Sequence, residues 1–178
     1  MTLRVLLLAA VLLSLERICY IYVSRAPEHF RRFCRRPAVA YLGEPVDVLR
    51  KLFYGFKGLQ FAVFFGWCYI HGHGSLSPTG SGTLPLGVGA ALIVAGQILN
   101  CGVFYRLGKV GVFYGNKLGY ELPWSRAFPF SLFTHPQYVG AVCLIWGFFL
   151  IMRFPHHDWY MLPALETAYY VLGASLEG

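Results

Sequence analysis

Between Leu107 and Gly140 the chain reads LGKVGVFYGNKLGYELPWSRAFPFSLFTHPQYVG, a basic stretch rich in Gly, Pro and aromatic residues between two apolar runs. Its residue types suit ligand binding. Gly108, Gly111, Gly115 and Gly119 recur every three or four positions, which on a helix would line them along one face. Such a face lets a second helix approach closely, or lets a flat ligand lie against the backbone. Phe128-Pro129-Phe130 then breaks any helix, and Pro136 suits the first turn of a new one. That leaves His135 at a helix start, beside free backbone N–H groups that attract an anion such as a ligand carboxylate. Gln137 and Tyr138 add hydrogen-bonding groups at the same place.

The elements that must position these residues are apolar runs. They extend over Leu3–Val23, Leu52–Ile70, Leu84–Tyr105, Tyr138–Met152 and Trp159–Leu176. About 20 residues of helix cross a bilayer core, and lipid admits only helices or closed barrels. No strict alternation, the barrel signature, is present. The fourth run is short and is ended by Arg153-Phe154-Pro155, so it is expected to pair with the fifth as a hairpin turning at Pro155–Asp158. The first run has Arg4 ahead of it and resembles a signal-peptide core. It continues past Glu16 and Arg17 to Val23 without a small-residue cleavage site, so it reads as a retained span.

Composition agrees. Of 178 residues, 57% are hydrophobic and 13% charged, against about 45–50% and about 25% in soluble domains; mean hydropathy is +0.54. No separate soluble domain is left once the runs are assigned. The predicted fold is an all-α integral membrane bundle of four to five transmembrane helices, with a cytosolic Gly/Pro/aromatic-rich segment before the last helical hairpin. It forms one domain over residues 1–178: a first span and basic loop (1–51), the second and third spans (52–106), and the ligand-binding segment with the hairpin (107–178).

The net charge of +7 is segregated. Arg and Lys crowd the loops 24–51 and 106–135, while 71–83 holds no Asp, Glu, Lys or Arg. Two spans separate the basic loops, so both face the cytosol, where they suit anionic headgroups rather than nucleic acid. If the last two runs both cross, Glu177 returns to that face beside the Gly-rich segment. The five cysteines form no C-x-x-C pair, and four lie in apolar runs, so neither a disulfide framework nor a metal site is expected. His71-Gly72-His73-Gly74 and His156-His157 read as solvated turns. Lys57 is expected to snorkel to the cytosolic side; Glu166, inside the last run, has no partner evident from sequence.

The spaced pattern L-G-x-x-G-x-F/Y-x-G-x-x-x-G, then F-P-F, then P-x-Y-x-G, is met by Leu107-Gly108, Gly111, Phe113 or Tyr114, Gly115, Gly119, Phe128-Pro129-Phe130 and Pro136-Gln137-Tyr138-Val139-Gly140. In this the chain resembles the phospholipid N-methyltransferases, which convert phosphatidylethanolamine or its methylated forms toward phosphatidylcholine. Pro123-Trp124 and the wording Pro-Gln-Tyr-Val-Gly are most similar to the plant-type branch. The family has Asp or Asn before the second proline. His135 stands there, and His-Pro-x-Tyr resembles the isoprenylcysteine carboxyl methyltransferases, relatives with the same cofactor.

The resemblance implies an S-adenosylmethionine-dependent enzyme of the endoplasmic reticulum membrane, acting on a phospholipid from the cytosolic side, its oligomeric state open. It implies a cofactor site from Gly96, Gly108, Gly111, Gly115, Phe128, Pro129, His135, Pro136, Tyr138 and Glu177. Gly96 matches the second glycine of the family's Gly-x-Gly, with Val94 in the other place; Gly87-Val88-Gly89 has the wording one or two turns earlier. Glu177 matches one member of a family Glu-Glu pair, and Gly178 follows it. The acceptor amine must shed a proton before it attacks, and Glu177, His135 or Tyr138 could take it, directly or through water. Tyr114, Trp124, Phe128 and Phe130 suit a methylated ammonium or an interfacial belt. Two other functions fit less of the pattern: carboxyl methylation of a prenylated cysteine, and a non-catalytic membrane scaffold.

Overall fold

The computed structural model describes residues 2–78, 81–122, 125–153 and 157–177, apart from the side chains of Thr2 and Glu177. Every apolar run becomes a helix, and no strand occurs among the described residues. α1 spans Thr2–Arg25. Two short helices follow, α2 over Pro27–Cys34 and α3 over Pro37–Ala40, each opened by a proline whose missing N–H costs nothing there. α2 buries Phe30 and Cys34 and leaves Arg32 and Glu28 exposed, so it lies over the end of the bundle. α4, Pro45–His71, starts before the apolar run does, because Pro45 sets its first turn and Val46, Val48 and Leu49 are already buried.

α5 covers Thr83–Val112, α6 Pro136–Ile151 and α7 Met161–Glu177, the last preceded by a 3-10 turn at His157–Tyr160. Asp158 falls in that turn; Pro155 and His156 of the expected hairpin lie outside the described residues. Among the described residues, two helices are long and apolar enough to cross a membrane, Leu3–Arg25 and Thr83–Val112, and Pro136–Ile151 is apolar but shorter.

α5 and α6 form the most extensive helix pair, and glycine explains why. A Cβ at Gly96 would stand 2.6 Å from the Gly140 carbonyl oxygen, and one at Gly89 2.8 Å from that of Gly147. The two backbones touch, as small residues permit. From there α6 packs on α7, α7 on α1 and α1 on α4, an arc of neighbours. α4 reaches α6 through Phe64 and Phe65 against Phe148 and Phe149, but α4 and α5 do not pack along one another.

The expectation of one glycine-lined helical face is not met. Gly108 has φ +61° and ψ −174°, which breaks α5 a turn before its end. Beyond Val112 the chain turns rather than coils, with Tyr114 at φ 55° and Gly119 at φ 90°. These glycines serve backbone conformations that side chains resist, and the ring of Tyr114 is thereby turned inward against Tyr20, 5.7 Å between centroids.

Both basic loops do lie at one end of the bundle. Arg25 Nε donates to the Leu176 carbonyl at 3.3 Å, joining the ends of α1 and α7. Lys109 Nζ donates to Asp47 Oδ1 at 2.7 Å, joining the end of α5 to the start of α4. That bond, with Arg50 and Lys51 nearby, holds the Asp47 carboxyl below the usual carboxylate range. At the opposite end Ser81 Oγ donates to the Leu150 and Ile151 carbonyls.

Candidate functional site

Two apolar clusters stabilise the bundle. One, at the basic end, gathers Val23, Phe30, Leu49, Val103, Phe113 and Leu118; the other, toward the far end, gathers Leu13, Phe64, Trp67, Phe149 and Leu162. Between them lies a layer of charge. Glu16 and Arg17 come from the middle of α1, Lys57 and Gln60 from α4, Glu166 and Tyr170 from α7. Glu16 and Arg17 side chains are each 7% exposed.

Lys57 does not snorkel. Its Nζ donates to Glu16 Oε2 at 3.2 Å, Gln60 Oε1 at 3.0 Å and Tyr170 Oη at 3.3 Å, which uses all three protons of an ammonium. The physical reason is that Glu16 offers a nearer opposite charge than the interface does. Glu166, without an evident partner in the sequence, accepts from Gln60 Nε2 at 2.9 Å. Arg17 Nη2 lies 2.8 Å from Glu16 Oε1, and its guanidinium carbon sits 4.2 Å from the ring centre of Tyr170, 5.4 Å from Tyr20 and 5.8 Å from Tyr138.

Above this layer is a cavity of about 440 Å³. Glu16, Arg17, Lys57, Gln60 and Tyr170 of the charged layer form its floor, Phe53, Val112, Phe113 and Tyr114 its roof, and α5 and α6 its far wall through Asn100, Leu144 and Tyr138. Phe61 of α4 and Gln97, Cys101 and Phe104 of α5 line it yet are exposed, which marks its mouth on the flank between those two helices. Tyr20 Oη and Asn100 Oδ1 are buried in its wall with no hydrogen-bond partner among the described residues.

Of the residues singled out in the Gly-rich segment and at the α6 start, Tyr114, Gln137 and Tyr138 line this cavity. The Tyr138 hydroxyl is 3.3 Å from that of Tyr114, and the exposed His135 ring stacks on the Tyr138 ring at 5.8 Å. Pro136 is buried at the α6 start. Phe128 and Pro129 cover Gly102 of α5, 3.1 Å from where its Cβ would be, and the Phe128 carbonyl accepts from Arg106 Nε. Gly96 is occupied by α6, and Gly108, Gly111 and Gly115 shape the turn above the roof without lining it. Glu177 closes α7 at the basic end; its side chain lies outside the described residues. Glu16, Arg17, Lys57 and Glu166 stand in the sequence as charges inside apolar runs, and the fold assembles them. A signal existed: Gln97, Asn100, Cys101 and Phe104 fall on one helical face, as do Glu16 with Tyr20 and Glu166 with Tyr170.

Residues 85–177, which supply α6, α7 and nearly all of α5, match the sequence profile of the family described as phospholipid methyltransferase. The chain belongs to the phospholipid methyltransferase family. A phosphatidyl-N-methylethanolamine N-methyltransferase of Arabidopsis thaliana is 42% identical over 60 residues, covering 31% of this chain. The chain spans 37% of the length of that curated relative. No solved structure matches it.

Proposed function

We propose that the chain methylates the headgroup amine of phosphatidylethanolamine, or of its mono- or dimethyl derivatives, with S-adenosylmethionine as donor, on the way to phosphatidylcholine. The observation that carries this reading is that the family-matched residues 85–177 wall a cavity that opens onto the flank of the bundle. A lipid can enter there from the side. A water-borne donor enters from the basic end, which by its charge faces the cytosol. In this reading the apolar helices form four to five spans of the endoplasmic reticulum membrane, and the chain is one domain.

The cavity suits the donor. It falls within the common range for ligand sites, roughly 300–1,000 Å³, and the unpartnered Asn100 Oδ1 offers a polar atom to an adenosine or amino-acid group. Gln97, Asn100, Gln137 and the α6 N-terminus would hold it, with His135, Pro136 and Glu177 at the rim. Bound there, S-adenosylmethionine supplies a methyl group on a sulfonium, open to attack by an uncharged amine. The protein aligns the two and keeps water out. An ordinary alkyl ammonium releases its proton near pH 10.4, so a route for that proton is needed. The Tyr138 hydroxyl, paired with that of Tyr114, can pass it on to water, and the exposed His135 and Glu177 at the end of α7 are candidate final acceptors. Gly96 contributes by letting α6 sit close enough to present Tyr138. Gly108, Gly111 and Gly115 contribute by turning Tyr114 into the roof, and Phe128 and Pro129 by packing on α5 at Gly102.

The test is incubation of the purified chain with radiolabelled donor and, separately, each of the three amine phospholipids, followed by thin-layer separation. Label should enter a base-stable methylated phospholipid. Tyr138→Phe should lower turnover by about 10²-fold, the size of a lost proton relay, and Glu177→Ala should abolish it. No transfer to any of the three lipids would sink the reading, and a base-labile methyl ester on a prenylated cysteine peptide would replace it with carboxyl methylation.

A further inference from the structure

The charged floor of the cavity has a use that amine methylation alone does not require. Lys57 has spent its three protons on Glu16, Gln60 and Tyr170. Arg17 has not. It meets Glu16 with one nitrogen, and its guanidinium carbon lies 4.2 Å from the ring centre of Tyr170, 5.4 Å from that of Tyr20 and 5.8 Å from that of Tyr138. The side chain is nine-tenths buried, lines the cavity, and makes no hydrogen bond among the described residues beyond its ion pair. Tyr20 Oη, equally buried and unpartnered, stands next to it. Glu16 is shared between this guanidinium and Lys57, which leaves the remaining N–H groups of Arg17 to an acceptor from outside the chain, and charged groups at membrane depth usually mark function.

We propose that Arg17, assisted by Tyr20, binds the phosphodiester of the lipid acceptor. This rests on the reading that the lipid acceptor enters the cavity from its flank while the donor occupies the side of α5 and α6. A planar guanidinium takes two phosphate oxygens at once. The floor lies eight residues, roughly 12 Å, below the end of α1, so a headgroup drawn through the mouth between Phe61 and Phe104 reaches it without leaving the bundle. The ethanolamine arm is two carbons long, which keeps its nitrogen by the Tyr114–Tyr138 hydroxyls. Phe61, Phe64, Phe104 and Phe148 line the way in for the acyl chains. Anchoring by phosphate makes the site selective for phospholipids over neutral amine or diacyl amphiphiles.

The experiment uses the full chain in a non-ionic detergent and displaces a fluorescent phosphatidylethanolamine with either phosphatidyl-N-methylethanolamine or the matching diacylglycerol. In the native protein the phospholipid should displace at concentrations at least tenfold lower. Arg17→Gln should reduce that preference below threefold and raise KM for the phospholipid at least tenfold, with affinity for S-adenosylmethionine unchanged within twofold. Arg17→Lys, which keeps charge without the fork, should fall between. Unchanged preference in Arg17→Gln overturns the proposal, as does lost cofactor affinity with lipid preference intact, since Arg17 would then serve the cofactor carboxylate. Should neither variant stay monodisperse, equal displacement by the two lipids in the native protein overturns it. If no lipid is methylated yet phosphate preference exists and needs Arg17, the activity reading fails and the anchor stands.

Discussion

Glu16 is the side chain on which the buried charge turns. It stands 2.8 Å from Arg17 and 3.1 Å from Lys57, the acidic partner of both cations. Removing one member of a buried pair strands the other, at a cost of about 3–5 kcal/mol. Glu16→Gln strands two cations and should reach that range. Lys57→Met leaves Glu16 paired with Arg17 and loses mainly hydrogen bonds to Gln60 and Tyr170, worth about 1–3 kcal/mol. Denaturant midpoints of the purified variants should therefore rank Glu16→Gln well below Lys57→Met; equal midpoints would mean that the carboxylate does not bridge both cations. Each of these residues could be seen in the sequence as a charge inside an apolar run. What could not be seen was their depth relative to one another, because register between α1, α4 and α7 is set by side-chain packing across the bundle. The snorkelling expected of Lys57 was a single-helix argument, and the partner that overrules it is 41 positions away.

At the scale of elements, glycine does two different jobs in α5 and the turn after it. Gly89 and Gly96 let α6 touch the α5 backbone, while Gly108 and Gly119 hold positive φ. Gly87, between these groups in type but not in place, meets nothing within 4 Å. Gly96→Leu should therefore push α6 away, cost at least the 1–3 kcal/mol typical of overpacking, and displace Tyr138 from the cavity. Gly87→Leu should be tolerated. Thermal unfolding of both in detergent makes the comparison, and a destabilised Gly87→Leu beside a stable Gly96→Leu would contradict the α5–α6 packing. Helix identity was legible from the apolar runs, and so was the proline start of α6; the start of α4 at Pro45, seven residues before its apolar run, was not. The helical reading of residues 108–119 was not sound: spacing of three or four suggests a helix face, but Gly108 at φ +61° ends the periodicity there.

For the whole molecule, charge segregation and contacts put both basic loops at one end of the bundle. The ends of α1, α5 and α7 and the start of α4 meet at the basic end, and Ser81 ties its loop to the end of α6 at the other. Single cysteines at Ser131 and Ser75 should accordingly react with a membrane-impermeant maleimide from opposite sides, Ser131→Cys from the cytosol. Labelling of both from one side would overturn the spanning arrangement. By itself the sequence determined helical class, the place of the Gly- and Pro-rich segment, and family membership, because apolar run length, proline position and motif order are local properties of the chain. Only the tertiary structure decided that the charges of α1, α4 and α7 share one layer, that Tyr138 faces a cavity while Gly96 faces a helix, and that the mouth opens between α4 and α5. Those facts depend on which helices adjoin and at what depth, and close packing between distant segments sets both.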